Sequence, residues 1–204
     1  MRRAAIVSLV AAVSLGACAS IVKPNVKTEA EALRSGDYAL DKGHASLIFK
    51  INHLGFSNFV GRFNVFDAAL DFDEANPAAA KVDATIDMTS LDVADPEFAK
   101  TLTGPRWFDA AAFPQATFHS TAVAVTGPNT GRLIGDLTLH GVTKPVALDV
   151  VFNGGAHDIL RGGKYVIGFS AHGTINRDDF GVSRFDSIVS KEVTIEVEAE
   201  FVRR

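Results

Sequence analysis

Along most of this chain apolar and polar side chains alternate one by one. Val193 to Phe201 places Val193, Ile195, Val197, Ala199 and Phe201 on one face and Thr194, Glu196, Glu198 and Glu200 on the other. That period belongs to an extended strand with one face buried. Lys81 to Met88 repeats it, and so does Ala45 to His53, where Leu47, Phe49, Ile51 and His53 share a face. Further segments of this kind lie near 60–72, 115–126, 131–140, 145–153 and 164–175. About eight strands follow, with no helix between most of them, which predicts successive antiparallel pairing.

Gly141-Val142-Thr143-Lys144-Pro145 reads as a tight hairpin connection, with Gly141 free to take a positive φ and Pro145 starting the next strand. The parity of Phe63 and Val65 does not match that of Phe66, Ala68, Leu70 and Phe72, so one residue is absorbed there, as in a β-bulge. Long strands with one polar and one apolar face suit a sheet closed on itself, although alternation alone leaves a β-sandwich open. The exception to the strand pattern is Asp95 to Phe113. Asp95 suits an N-cap, Pro96 the first helical position and Glu97 the positive end of the dipole, while Gly104 and Pro105 stop the helix. Trp107 and Phe108 follow, as a plug for the core or a closure for one end of a barrel.

The first residues differ in kind. Arg2 and Arg3 precede an apolar run from Ala4 to Leu15, the layout of a secretory signal and too short for a permanent membrane span. Leu15-Gly16-Ala17-Cys18 resembles the lipobox of bacterial lipoproteins, in which the chain is cut before the cysteine and the thiol carries a diacylglycerol. Cys18 is the only cysteine, so it has no internal disulfide partner, and a lipid anchor accounts for it. Ala19 is not the aspartate associated with inner-membrane retention, which favours the outer membrane, facing the periplasm. Ala19 to Gly36 has no clean period and reads as a tether, with one helical turn around Glu29–Leu33 and a reach of about 25 Å as a flexible coil. The chain thus divides into a signal peptide (1–17), a lipidated tether (18–36) and one domain (37–204).

A net charge of −4 offers no basic field, which sets nucleic acid aside as a partner. Metal-site, phosphate-loop and dinucleotide motifs are missing, and no cofactor is expected. Gly168-Phe169-Ser170-Ala171-His172 begins like a nucleophile elbow but fails at its fifth position and lies within a strand. Asp178 and Asp179 are neighbours and would face opposite ways in a strand, which ill suits a carboxylate pair. Nothing local argues for an enzyme. Fifteen Phe against two Tyr and one Trp make most of the aromatic surface wholly apolar.

Five stretches in order resemble the YceI-like family: Ser46 to Phe63 (SLIFKINHLGFSNFVGRF), Trp107-Phe108-Asp109, Phe113 to Ser120 (FPQATFHS), Gly135 to Val146 (GDLTLHGVTKPV) and Arg177 to Gly181 (RDDFG). The resemblance spans Tyr38 to Arg204. It implies an all-β, antiparallel, lipocalin-like barrel of eight or so strands with one short helical insertion, and an internal channel for a polyisoprenoid lipid such as a polyprenyl quinone or polyprenyl phosphate. On that expectation Leu47, Phe49, Ile51, Phe63, Ile86, Met88, Phe118, Leu148 and Phe169, chosen by strand parity, line the channel together with Trp107 and Phe108. His53, Arg177 and Asp179 are the polar candidates for a head group, against the alternative of an Arg–Asp pair pinning the last loop. Two other readings stay open: a solid-cored envelope lipoprotein acting through protein contacts, and an enzyme acting on a barrel-bound lipid. Monomer and homodimer are both compatible with these residues.

Overall fold

The computed structural model describes residues 23–29 and 32–204. The signal segment and Cys18 lie outside the described residues, as do two residues of the turn expected around Glu29–Leu33.

Alternation becomes ten strands: β1 (Gly36–His53), β2 (Ser57–Phe63), β3 (Phe66–Phe72), β4 (Lys81–Asp87), β5 (Leu91–Asp92), β6 (Gln115–Val125), β7 (Thr130–Leu139), β8 (Val142–Asp158), β9 (Lys164–Asn176) and β10 (Val189–Arg203). Every pairing is antiparallel, and β10 returns to β1 through a register running from Tyr38↔Arg203 to His53↔Val189. The closed ring is β1-β3-β4-β6-β7-β8-β9-β10, an eight-stranded barrel. Closure leaves the ring without a free edge.

The end carrying Gly36 is termed the base and the end carrying His53 the rim. Toward the rim the wall splits in two places. β2 continues β3 along β1 but pairs with β5 only at Arg62↔Asp92 and Phe63↔Leu91. The helix α1 (Pro96–Thr103) packs beside this flap, with Leu102 buried against Leu91 and Val93. β8 and β9 also part, their pairing starting only at Asp149↔His172. A 3-10 turn at Arg177–Phe180 fills this second gap, and Phe180, 1% exposed, packs among Leu137, Val142, Val146, Ile175 and Val193.

Local chemistry explains the boundaries. Asp95 caps α1 by accepting from the amides of Glu97 (2.9 Å) and Phe98 (3.4 Å). The helix ends at Thr103, well before Phe113, because Gly104 and Pro105 follow; residues 105–113 are turns. The parity break at Phe63–Phe66 is a strand interruption at Asn64 and Val65, where the wall divides, rather than a bulge within one strand. The β7–β8 hairpin turns on His140 (φ 52°) and Gly141 (φ 74°). β8 therefore starts at Val142, and Pro145 sits inside it opposite Asp136. β9 does not pair there, so the missing amide of Pro145 leaves no ladder bond to β9 broken.

Outward positions carry charge, including the pairs Lys50–Glu196 (2.7 Å) and Lys42–Asp67 (2.7 Å). Apolar within and charged without is the reverse of a membrane-spanning barrel.

Candidate functional site

The barrel is hollow. One cavity of about 1310 Å³ is lined from base to rim almost wholly by aliphatic and aromatic side chains. That exceeds the roughly 300–1,000 Å³ of drug-sized sites and suits a longer apolar guest. Strand alternation builds it, because each strand turns one face inward. Most of the fifteen phenylalanines line it. Near the base, Phe169 lies 5.5 Å from Phe152 and 6.2 Å from Phe201, centroid to centroid. Toward the rim, Phe63 lies 5.9 Å from Phe49 and 6.0 Å from Phe108. Gly61 faces Phe49 across the β1–β2 ladder, and a Cβ there would stand 2.3 Å from that ring. Glycine thus lets the ring lie flat along the wall.

All eleven apolar residues expected to line a channel do so: Leu47, Phe49, Ile51, Phe63, Ile86, Met88, Trp107, Phe108, Phe118, Leu148 and Phe169. Phe59, Leu137 and Ile195 join them, and alternation within their strands marks each as inward. Leu54, Phe185, Ile188 and Val182 also line the cavity from turns, where no period identifies them.

The polar candidates separate. His53 is exposed at the rim and lines the cavity mouth. Asp179 is exposed and stands off the cavity wall. Arg177, 5% exposed, lines the wall, but its partners are main-chain carbonyls rather than an aspartate. It donates to Ser190 (2.9 Å), Val182 (2.5 Å), Arg184 (3.0 Å) and Val189 (3.1 Å). The expected Arg–Asp pinning pair is therefore replaced by an arginine that pins the 182–190 loop through its backbone. Asp178 pairs instead with Lys191 at 2.8 Å.

The chain's own N-terminal segment packs across part of the base. Expected as a flexible tether, its described part is seated on the barrel. Lys27 bridges Gly155 in both directions, amide to carbonyl at 3.0 Å and back at 2.8 Å. Gly154 has φ 133°, and a Cβ there would meet Val26 Cγ1 at 2.4 Å, so only glycine admits the segment at that position. Ala32 is buried, and its carbonyl accepts the hydroxyl of Tyr165. Tyr38, fully buried, donates to the Arg34 carbonyl at 2.7 Å. Burial pushes the Tyr38 phenol above its ordinary range, against the pull of Arg203, and does the same to Tyr165 against Arg34.

Arg161 ties this end together outside the wall, reaching Asp41 (2.8 Å), Asp158 (2.5 Å) and Glu200 (2.6 Å). Burial raises the Asp41 carboxyl, but hydrogen bonds from His44, Gly43 and Arg161 outweigh it and hold the group below the usual carboxylate range. Asp41, His44 and Glu200 are the one group among the described residues close enough to converge on a metal. The Arg161 guanidinium already neutralises its two carboxylates.

Comparison with known proteins agrees with this architecture. Residues 38–201 match the YceI-like domain family. A UPF0312 protein of Yersinia pestis is 42% identical over 171 residues, 83% of this chain and 88% of the relative. A UPF0312 protein of Pseudomonas savastanoi is 41% identical over 150 residues, 72% of this chain and 77% of the relative. Among solved structures, Burkholderia cenocepacia BcnA superposes with a TM-score of 0.71 at 28% identity, covering 79% of this chain and 98% of that one. A polyisoprenoid binding domain from Saccharophagus degradans shares the fold, with a TM-score of 0.58 at 16% identity over 84% of this chain and 100% of that one.

Proposed function

This chain belongs to the YceI-like family, and from that premise we propose that it is a binding or carrier protein holding a long isoprenoid lipid inside its barrel. One observation carries the reading: an apolar cavity of about 1310 Å³ that runs the length of the fold. Apolar area supplies the affinity, at about 25 cal/mol per Å² removed from water before the costs of association. The binding named for the Saccharophagus degradans domain, which has the same fold, supports an isoprenoid. A guest of this class, of the polyprenyl quinone or polyprenyl phosphate type, lies along the cavity with its polar head where polar lining residues gather. Among the described residues the cavity lining offers no convergent set of acid, base and nucleophile, which favours carriage over catalysis in this reading.

In the same reading Cys18 carries the lipid anchor and the barrel works in the cell envelope at the outer membrane, facing the periplasm. The basic pair, the apolar run and the lone cysteine at the end of a lipobox-like stretch support this. Native mass spectrometry of the purified chain tests the carrier: a mass increment matching a polyprenyl lipid, or uptake of one added, is expected. A clean unliganded mass with no uptake refutes it. Cys18→Ser is expected to move the protein from membranes to the soluble periplasmic fraction. Unchanged attachment refutes lipidation at that residue.

A further inference from the structure

At the rim the apolar lining does not stop at the cavity mouth. Leu54, Phe56, Phe98, Phe185 and Ile188 are 47%, 88%, 37%, 47% and 56% exposed, and all but Phe56 also line the interior. They come from three separate segments: the β1–β2 turn, α1 and the loop before β10. The folded sheet brings these together. His53 pairs with Val189, Phe98 sits edge-on to Phe59 at 5.7 Å, and Phe185 lies 6.0 Å from Trp107. A continuous apolar surface thus runs from the inside of the barrel, through the mouth, and onto the outside.

The backbone holds two of these side chains out at a cost. The β1–β2 turn has positive φ at Leu54 (58°) and Gly55 (80°), with the Phe56 amide bonded to the His53 carbonyl at 3.1 Å. Such a turn favours Asn or Gly at the position Leu54 occupies. Phe185 likewise has φ 57°. Of the four non-glycine residues with positive φ among the described residues, two are exposed rim hydrophobics, and the loop carrying Phe185 is held by the buried Arg177. Strain of this kind persists where surrounding structure over-determines it and marks working surfaces.

We infer that the rim is a docking surface for a lipid bilayer, into which Leu54, Phe56, Phe98, Phe185 and Ile188 insert so that an apolar guest passes between membrane and cavity without crossing water. Continuity with the cavity singles out this occupant, because a bilayer presents the same apolar medium that the guest occupies inside. The charge pattern narrows it further. Lys100 is paired with Glu97 (2.6 Å), and Lys191 lies against Asp178 (2.8 Å) and Asp186 (3.5 Å), so these two lysines are already neutralised and insertion is carried by the apolar side chains. Arg184, 4.6 Å over the Phe185 ring, can place its stem beside lipid and its head in water. Uncharged bilayers therefore suffice. The purpose of the contact rests on the carrier reading; the contact itself does not.

The test uses the mature form beginning at residue 18 and bearing Cys18→Ser, so that neither the signal segment nor an acyl group contributes, and sediments it with vesicles of phosphatidylcholine alone. Partition into the vesicle pellet is expected, with little change when salt is raised. Phe56 is not part of the cavity wall, and Phe56→Glu is expected to weaken partition about tenfold or more, while Phe56→Trp preserves it. Leu160→Glu, at a residue 76% exposed near the base, is expected to behave as the parent. An unchanged thermal midpoint shows that each variant folds, and Phe56→Ser repeats the test without an added charge. Docking is overturned if the parent stays in the supernatant, or if it pellets only with anionic vesicles. Equal partition of Phe56→Glu and parent, or an equal loss in Leu160→Glu, overturns it too. So does a dimer that Phe56→Glu dissociates, because a second copy then covers the rim. Lipid uptake followed by native mass spectrometry is read separately. Its loss with partition intact sinks the carrier and spares the docking, and the reverse sinks the docking alone.

Discussion

The two ends of this barrel are made by the same strands and differ in how their loops are held. At the base, polar handles tie the structure together: Tyr38 and Tyr165 donate to carbonyls of the N-terminal segment, Lys27 bridges Gly155, and Arg161 gathers three carboxylates. At the rim the strands part, loops fill the gaps, and large apolar side chains stand in solvent on strained turns. The chain has only two tyrosines, and both serve the base; the aromatic residues of the rim are all without a hydroxyl. An amphipathic ring can satisfy a carbonyl and seal, whereas a Phe can only exclude water or meet another apolar surface. The difference between the ends is thus one of hydrogen-bond capacity in side chains of nearly equal size.

The largest expected effect breaks the rim. Arg177→Ala leaves several carbonyls around a vacated pocket without their donor, and a loss of about 3 kcal/mol or more in denaturant unfolding is expected. Arg177→Lys keeps the charge but not the fork, and should recover only part of it. If Arg177→Ala is as stable as the parent, the arginine does not hold the loop. Next comes Arg161→Ala at the base, which exposes Asp41, Asp158 and Glu200 to one another; about 2 kcal/mol is expected, falling at high salt. Tyr165→Phe removes only the bond to the Ala32 carbonyl. A cost of about 1 kcal/mol is expected, with faster amide exchange at Lys27 and Gly155 and none of that change at the rim. Exchange that quickens equally at both ends would erase the distinction.

The smallest effect is in pH, and it belongs to the base. Asp41 is held below the usual carboxylate range in the fold. Its contribution to stability is therefore complete above the unfolded carboxylate value of about 3.9 and is lost as pH falls through the lower folded value. Tyr38 and Tyr165 are raised, so their contribution is complete below the ordinary phenol value of about 10 and declines as pH rises beyond it. Thermal midpoints followed across pH should therefore fall at both extremes. Asp41→Asn should flatten the acid limb and Tyr165→Phe the alkaline one; limbs unchanged by either would place the titrating groups elsewhere.

Much of the wall was legible in the residues, because a strand that alternates declares which face is inward before any partner is known. Leu47, Phe49 and Ile51 on β1, Ile86 on β4, Phe118 on β6, Leu148 on β8 and Phe169 on β9 all line the cavity for that reason. The capped start of α1 and the aromatics that follow Gly104 were legible from local preferences alone. Irregular segments carry no period, so nothing marked Leu54, Phe185 or Ile188 as part of the mouth. The role of Arg177 was hidden for a related reason. Its partners are backbone carbonyls, which every residue possesses, and only the path of the loop brings those from 182 to 190 around one guanidinium. Ala32 shows the same limit, since its burial depends on a tyrosine more than a hundred residues away.

Alternation, caps and turn residues determined by themselves that this chain makes an antiparallel sheet with an apolar inner face and one short helix. Tertiary structure alone decided that the inner face surrounds a cavity, that polar bonds hold the described N-terminal segment across part of one end, and that apolar side chains of three separate segments gather at the other. The physical reason is that alternation sets which way a side chain points but not how far away the opposite wall stands. That distance comes from how many strands close the ring, how they tilt and where they part, and these are properties of the whole sheet.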